Sequence, residues 1–425
     1  MCGVRSVKTL QWSMAGARTY DARLPWRLGG LGFTALLAQV LLIREAGVWL
    51  RGNELIIGAM LAAWLAWGAL GSMAGYWYER AAPGHEARWL AWLLAVLCAL
   101  LELLLLRCCW PSAGNLAGAA DTMGRAVVLS CAITALPSAL HGFVCGTIVR
   151  RWEAAQARSI ARLYLWETLG AALAGALVTF VLIPLGCWWA SVAVMALAPA
   201  LVLSWNAGRA RRRYAVQICA GVLLLAAWRY HEVLEARAQA IASRFLTGRI
   251  VAFVDTPKAR IAVTRCAGEH AFYSSGRLVG SSLQREYAEE LACYALLGAE
   301  TPRRALVLGF PYNGLVRELA ARGSAVTVLD PARAQMLALR EFLLPEDAAA
   351  LALPQVTVAA ADSRAWLASA QGCTATFDII LQDIGLPESY AMARYYSREW
   401  FMALRARLAD DGVLVVALPG SAGHV

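Results

Sequence analysis

The sequence predicts a multi-span α-helical membrane domain, followed by a small antiparallel β-sheet and then a parallel-sheet α/β domain. Three observations carry this. The 425 residues are 60% hydrophobic with a mean hydropathy of +0.53, against about 45–50% apolar in an ordinary soluble chain. The excess is concentrated in the first half, in apolar runs of about 20 residues, the length that crosses a bilayer. From about Arg249 the texture changes to short alternating runs and then to strands alternating with helices. That is the pattern of a sheet covered on both faces.

Residues 1–27 are polar and basic, with Arg5, Lys8, Arg18, Arg23 and Arg27, and lead straight into an apolar segment, as a signal-anchor does. Residues 28–228 form the membrane domain. Its candidate spans are Leu28–Trp49, Leu55–Tyr78, Trp89–Leu106, Val127–Val149, Leu163–Leu185 and Trp188–Trp205, with a shorter seventh at Tyr214–Trp228. Stretches such as GALGSMAG and LGAALAGAL put small residues where helices pack closely in lipid. The basic segments at the N-terminus, near Arg150–Arg162 and at Arg209–Arg213 fall on one side if every span crosses, and the positive-inside bias makes that side cytoplasmic. Seven crossings place the soluble domain outside the cytoplasm. Six, with Tyr214–Trp228 lying in the interface, keep it inside, and the sequence leaves both open.

The net charge of +10 comes almost wholly from arginines between apolar runs. A nucleic-acid binder gathers its base on a soluble face, so the partner implied is the bilayer, not nucleic acid. The eleven cysteines include no CxxC pair and no metal-ligand spacing, so neither a metal site nor a disulfide framework follows. Among ionisable residues near membrane depth, Arg44, Glu45 and Glu54 read as caps on the first two spans. Glu102 and Glu167 lie deeper and are candidates for a polar site between helices, because intramembrane charge is costly to keep.

In the soluble half, residues 249–285 hold IVAFVD, ARIAVTRC and HAFYSSGRL, a small antiparallel sheet with turns at Thr256-Pro257 and Gly268. Residues 286–425 hold the α/β domain. QREYAEELACYALLG is helical, with Tyr287, Leu291, Tyr294 and Leu297 close to one face. ALVLG, AVTVLD, QVTVAAAD and FDIILQD are strands, and LVRELAARG, ARAQMLALREFL and SRAWLASA are the helices between them. Ligands of such sheets bind beyond the carboxyl ends of the strands, and those ends carry Gly309, Asp330, Asp362 and Asp383. Turn-forming aspartates after strands are common, so the pattern alone does not make a site.

Taken together, YAEELACYALL, LVLGFPYNGLVRE, VTVLDP, FDIILQDIGLPES and RYYSREWF, in this order and spacing, resemble the spermidine synthases. AQVLLIREAGVWLRGNELIIGAMLAAWLAWGALGS and YLWETLGAALAGALVTFVLIPLGC are similar to the spans of the bacterial membrane-fused branch of that family. The resemblance implies a Rossmann-like, methyltransferase-like domain in a protein of the bacterial inner membrane. It further implies aminopropyl transfer from a decarboxylated S-adenosylmethionine or methylthioadenosine-like cofactor. By position, Asp383 would be the catalytic base, Gly309 and Gly314 the cofactor turn, Asp362 the acid near the adenine amino group, and Tyr396 part of the amine pocket.

The departures from the family pattern are numerous. Phe310, Pro311 and Tyr312 replace Gly-Gly-Asp in the cofactor loop, and Leu386 stands where a second acid would grip the amine. Val328 falls at the ribose-binding acid unless the register slips and Asp330 serves. Leu283-Gln284 replace Asp-Glu, Lys258-Ala259 replace Tyr-Gln, and Val279 replaces a glutamine. The chain ends at ALPGSAGHV, short of the strands the resemblance leads one to expect. A proline offers no N–H to a ligand, and a dicationic amine entering without pocket carboxylates is desolvated with little compensation. Three readings follow: a diverged transferase; a non-catalytic relative acting as sensor, scaffold or partner of another membrane protein; and a transporter with a regulatory soluble domain.

Overall fold

The computed structural model describes residues 24–49, 54–81, 86–109, 123–155, 160–184, 188–205 and 210–255. It also describes 260–418, apart from positions 276, 283–284, 300–301, 310–311, 331–339, 386 and 388–389. Among the described residues seven α-helices come first: α1 (Leu24–Trp49), α2 (Glu54–Ala81), α3 (Glu86–Cys109), α4 (Met123–Ala155), α5 (Ile160–Leu177), α6 (Trp188–Trp205) and α7 (Ala210–Arg229). Five segments among them are long and apolar enough to cross a membrane: Pro25–Val48, Leu55–Ala81, Arg88–Cys109, Val127–Trp152 and Ala161–Leu182. These coincide with the first five expected spans. Trp188–Val202 and Tyr214–Arg229 are shorter apolar helices.

Contacts divide the chain into two compact units. The first holds residues up to Ala38, Leu65–Cys98 and Leu136–Ala227; the second holds Gln39–Trp64, Ala99–Ala135 and everything from Trp228. In the first unit, α2 and α4 meet backbone to backbone. A Cβ added at Gly71 or Gly75 would collide with the carbonyl oxygens of Ala139 and Phe143, and one at Gly142 or Gly146 with those of Gly68 and Ser72. Ser72 Oγ donates to Gly142 O across the same seam at 3.0 Å. This close approach brings the two backbones into dispersion contact along the seam.

The second unit contains the sheets. After α8 (His231–Ala242), β1 (Arg249–Asp255), β2 (Arg260–Cys266), β3 (Glu269–Ser274) and β4 (Arg277–Ser281) form an antiparallel meander in the order β1-β2-β3-β4. Its central hairpin turns on Ala267 and Gly268, with φ of 51° and 90°. Two positive-φ residues match the twist of the flanking strands.

Next come α9 (Arg285–Gly298), β5 (Arg304–Gly309), α10 (Leu315–Ala321), β6 (Ala325–Leu329), α11 (Pro345–Ala350), β7 (Val356–Ala359) and α12 (Ser363–Ala368). They are followed by β8 (Phe377–Asp383), α13 (Tyr390–Ala393), α14 (Arg398–Arg405) and β9 (Leu408–Val416). The five strands are parallel, in the order β7-β6-β5-β8-β9. Both faces are buried. Val307, Val328, Ile379 and Leu381 pack with α9 and α10, and Leu306, Leu308, Leu329 and Ile380 pack with α12 and α14. This is why these strands are continuous apolar runs and not alternating ones.

Two elements differ from expectation, and a third lies mostly outside the described residues. The buried face of α9 is Ala288, Leu291, Ala292 and Ala295, while Tyr294 and Leu297 are 56% and 81% exposed. Large side chains suggested one stripe, but the close approach to the sheet selects the alanines beside it. The helix expected over ARAQMLALREFL lies mostly outside the described residues, its end being a 3₁₀ turn at Arg340–Phe342. β9 was not anticipated, because LADDG interrupts its apolar run.

Candidate functional site

The chain order of the sheet reverses between β5 and β8, which makes their carboxyl ends the switch point where ligands of such sheets bind. Gly309 and Asp383 are partners in register there. Gly309 has φ of +117°, and a Cβ on it would collide with the Asp383 carbonyl. Only glycine fits. Gly314, with φ of +94°, is the N-cap of α10, and the Asn313 carbonyl Oδ1 accepts from Leu315 N at 3.3 Å. Residues 312–314 form a turn into α10, and Phe310 and Pro311 lie outside the described residues.

The acids at the strand ends are engaged by the chain itself. Asp330 is buried, and the buried Tyr312 hydroxyl donates to its Oδ2 at 2.8 Å. The Tyr312 ring packs with Ile261, Val263 and Phe272 of the small sheet. Burial and the Asp330 carboxylate push this phenol well above its ordinary pKa, so it stays a neutral donor. Val328 is wholly buried in the core on β6, which leaves Asp330 as the acid at this strand end.

Asp362 caps α12. Its Oδ1 accepts from Arg364 N at 3.1 Å and Ala365 N at 3.2 Å, as an N-cap does. Its Oδ2 is paired with Arg394 and accepts from the Tyr395 hydroxyl at 3.3 Å. Burial raises the Asp362 pKa, but the Ala365 N–H and Arg394 outweigh it and hold the carboxyl below its ordinary value.

At Asp383 the partner is the Tyr287 phenol of α9, whose pKa is raised first by burial and then by the charge of that carboxylate and the hydrogen bond to it. The Tyr396 hydroxyl donates to Gly385 O and so is committed to the loop after β8. Behind it stands a residue that the sequence did not single out. Gln382, fully buried on β8, donates to Tyr395 O at 3.2 Å and accepts from Trp400 Nε1 at 2.6 Å. This fixes the segment that carries Arg394, Tyr395 and Tyr396. A glutamine inside an apolar strand run was the available signal, because buried amides are kept only when hydrogen-bonded.

Glu102 and Glu167 fall in different units. Glu167 accepts from Cys145 Sγ at 3.4 Å; Glu102 Oε2 is buried with no hydrogen-bond partner among the described residues. Glu45, expected to cap a span, is instead wholly buried and paired with Arg107 and Arg260. No group of three potential metal ligands comes together among the described residues. Leu386, Lys258, Ala259, Leu283 and Gln284 lie outside the described residues. Val279 packs against the cluster that holds Tyr312.

No protein-family model matches the chain. It is 29% identical over 172 residues to polyamine aminopropyltransferase 2 of Ralstonia nicotianae, which is 39% of this chain and 33% of that protein. It is 32% identical over 161 residues to the polyamine aminopropyltransferase of Corynebacterium efficiens, 37% of this chain and 30% of the relative. The matched stretch thus spans about a third of the length of these curated relatives. Among solved structures, a spermidine synthase in complex with the transition state analogue AdoDATO aligns over 40% of this chain and 57% of that one, at 18% identity and a TM-score of 0.36. Over about 40% of its length, the chain is thus similar in sequence to the polyamine aminopropyltransferases.

Proposed function

We propose that this is a multi-pass protein of the bacterial inner membrane, a spermidine-synthase-like relative that no longer carries out aminopropyl transfer. One observation carries the reading: Asp330, Asp362 and Asp383 each accept a hydrogen bond from a side chain of the same molecule. In a working transferase such acids hold the cofactor's ribose and adenine and deprotonate the attacking amine, which must come within hydrogen-bond reach of its base. Here, a ribose hydroxyl at Asp330 would have to displace Tyr312, which is anchored in the small sheet. An adenine amino group at Asp362 would have to displace Arg394 or Tyr395. At Asp330, where both partners are buried, orphaning one costs about 1–3 kcal/mol, roughly one to two orders of magnitude in affinity, while the partly exposed Arg394 competes for Asp362 without that penalty. The residues present do not fit decarboxylated S-adenosylmethionine. The α/β domain is then a retained platform, suited to serve as sensor, scaffold or partner of another membrane protein.

The test is calorimetric titration of the full chain in detergent with decarboxylated S-adenosylmethionine and with methylthioadenosine. The expected result is no heat at millimolar ligand and no methylthioadenosine formed when putrescine is added. Micromolar binding that is lost in Asp362→Ala would overturn the reading and restore the transferase.

A further inference from the structure

In the second unit five charged side chains converge from five elements. Glu45 lies near the C-terminal end of α1 and Arg107 near the C-terminal end of α3; Glu235 is on α8, Asp255 on β1 and Arg260 on β2. Arg260 Nη2 donates to both Glu45 oxygens at 2.9 Å, and its Nε donates to Asp255 Oδ1 at 2.9 Å. Arg107 Nη1 is 2.7 Å from Asp255 Oδ2 and 3.3 Å from Glu45 Oε1, and its Nη2 is 3.0 Å from Glu235 Oε2. Both guanidinium groups stand over the Phe253 ring, at 5.3 and 5.6 Å. Val48 of α1 packs beside them against the small-sheet cluster of Ala262 and Tyr273. The small sheet is thereby fixed to the C-terminal ends of α1 and α3.

From this we infer that the α/β domain lies outside the cytoplasm, across the membrane from the N-terminal segment, and meets only extracytoplasmic ligands. The inference rests on the membrane reading above. α1 crosses once, so Glu45 reaches the face opposite the N-terminus. α2 returns and α3 crosses again, which brings Arg107 to that same face. The ion pairs then place the sheet there whatever the later helices do. The count along the chain agrees. Five crossing helices leave Tyr230 on the Glu45 face, and the shorter pair α6 and α7 changes nothing if both cross or neither does. An arrangement of six crossings would put the sheet on the opposite face from Glu45, where these pairs cannot form.

Charge identifies the two faces. With α6 and α7 both crossing, fifteen of the twenty lysines and arginines that precede Tyr230 lie in the N-terminal segment or at helix ends on its side. The other five are Arg44, Arg51, Arg107, Arg125 and Arg229, and two of these, Arg44 and Arg107, are paired with Asp255. By the positive-inside bias the N-terminal face is cytoplasmic. A cytosolic cofactor is then out of reach of the domain, which gives the filled strand ends a physical context.

The test labels cysteines of the full chain, carrying Ser159→Cys, in spheroplasts with a membrane-impermeant maleimide, and reads each site by peptide mass spectrometry before and after lysis. Cys266 and Cys373 are exposed in the domain, and Ser159 lies in the basic segment between Arg151 and Arg162. The expected result is at least tenfold more labelling of Cys373 than of the S159C site before lysis, with the two equal afterwards. Protection of Cys373 until lysis, or labelling of both sites in intact spheroplasts, would overturn the inference. Alkaline carbonate extraction of the same membranes separates the two proposals. A chain released by carbonate fails the membrane reading itself, whereas a retained chain with Cys373 protected fails only the sidedness.

Discussion

Replacing Glu45 with glutamine removes one charge from a site with no access to water. Glu45 is 0% exposed and accepts from Arg260 Nη2 twice at 2.9 Å and from Arg107 at 3.3 Å. The two arginines are 0% and 2% exposed, so solvent cannot replace the lost carboxylate, and Asp255 and Glu235 are already engaged. Breaking a buried pair by removing one partner costs about 3–5 kcal/mol. For a unit of this size, each kcal/mol lowers the melting temperature by about 2–4 °C, so Glu45→Gln should melt roughly 6–20 °C below the parent. The assay is a thermal scan in detergent, with Glu289→Gln as reference. The Arg285–Glu289 pair is 3.7 Å apart with both side chains about half exposed, and exposed pairs contribute about 0–1 kcal/mol. A Glu45→Gln shift no larger than that of Glu289→Gln would refute the claim that the network fixes the sheet to the helix ends. Arg260→Met with Glu45→Met is the second arm: an apolar replacement of both partners should recover part of the loss, because the desolvation penalty disappears with the charges.

Further outcomes follow from the same contacts. Burial raises the Asp255 pKa, but Arg260 and Arg107 outweigh it and hold the carboxyl down at about 2. Because the folded value is depressed, its stabilisation is complete above the unfolded value near pH 4 and is lost as pH falls toward 2; acid denaturation should be less steep in Asp255→Asn. Tyr312→Phe leaves Asp330 without this donor and should lower stability by about 1–3 kcal/mol in denaturant titration, with ligand binding still absent. Gly309→Ala places a methyl against the Asp383 carbonyl at a φ of +117°; the α/β domain should lose protease resistance. Gly142→Leu should separate α2 from α4 and lower the detergent melting temperature more than Gly124→Leu, where a Cβ meets nothing within 4 Å.

The sheet was legible because its strands carry their own boundaries. LVLG and FDIILQD are apolar runs stopped by a glycine and an aspartate, and burial on both faces leaves no polar alternation to confuse them. The positions of the four strand-end residues followed directly. What those residues touch did not. Tyr312 reaches Asp330 across 18 positions, Arg394 reaches Asp362 across 32, and Glu45 reaches Arg260 across 215; no local periodicity encodes such pairs. The packed face of α9 is not marked by its large side chains alone: Leu291 is buried, whereas Tyr294 and Leu297 are exposed. Side-chain size marks what wants burial, whereas a helix pressed on a sheet selects what fits, and alanine fits.

The Glu45–Arg260 pair also sets an order in time. Its carboxylate is synthesised 215 residues before its guanidinium, and at about 5–20 residues per second that gap lasts roughly 10–40 s. During that interval Arg107, 62 residues on, is the partner of Glu45 among the described residues synthesised so far. The small sheet then supplies Arg260 and closes the circuit. Assembly of the helix-end network thus waits for the strand that carries Arg260, and a ribosome stalled before it would leave a bundle whose first helix still carries an incompletely answered charge.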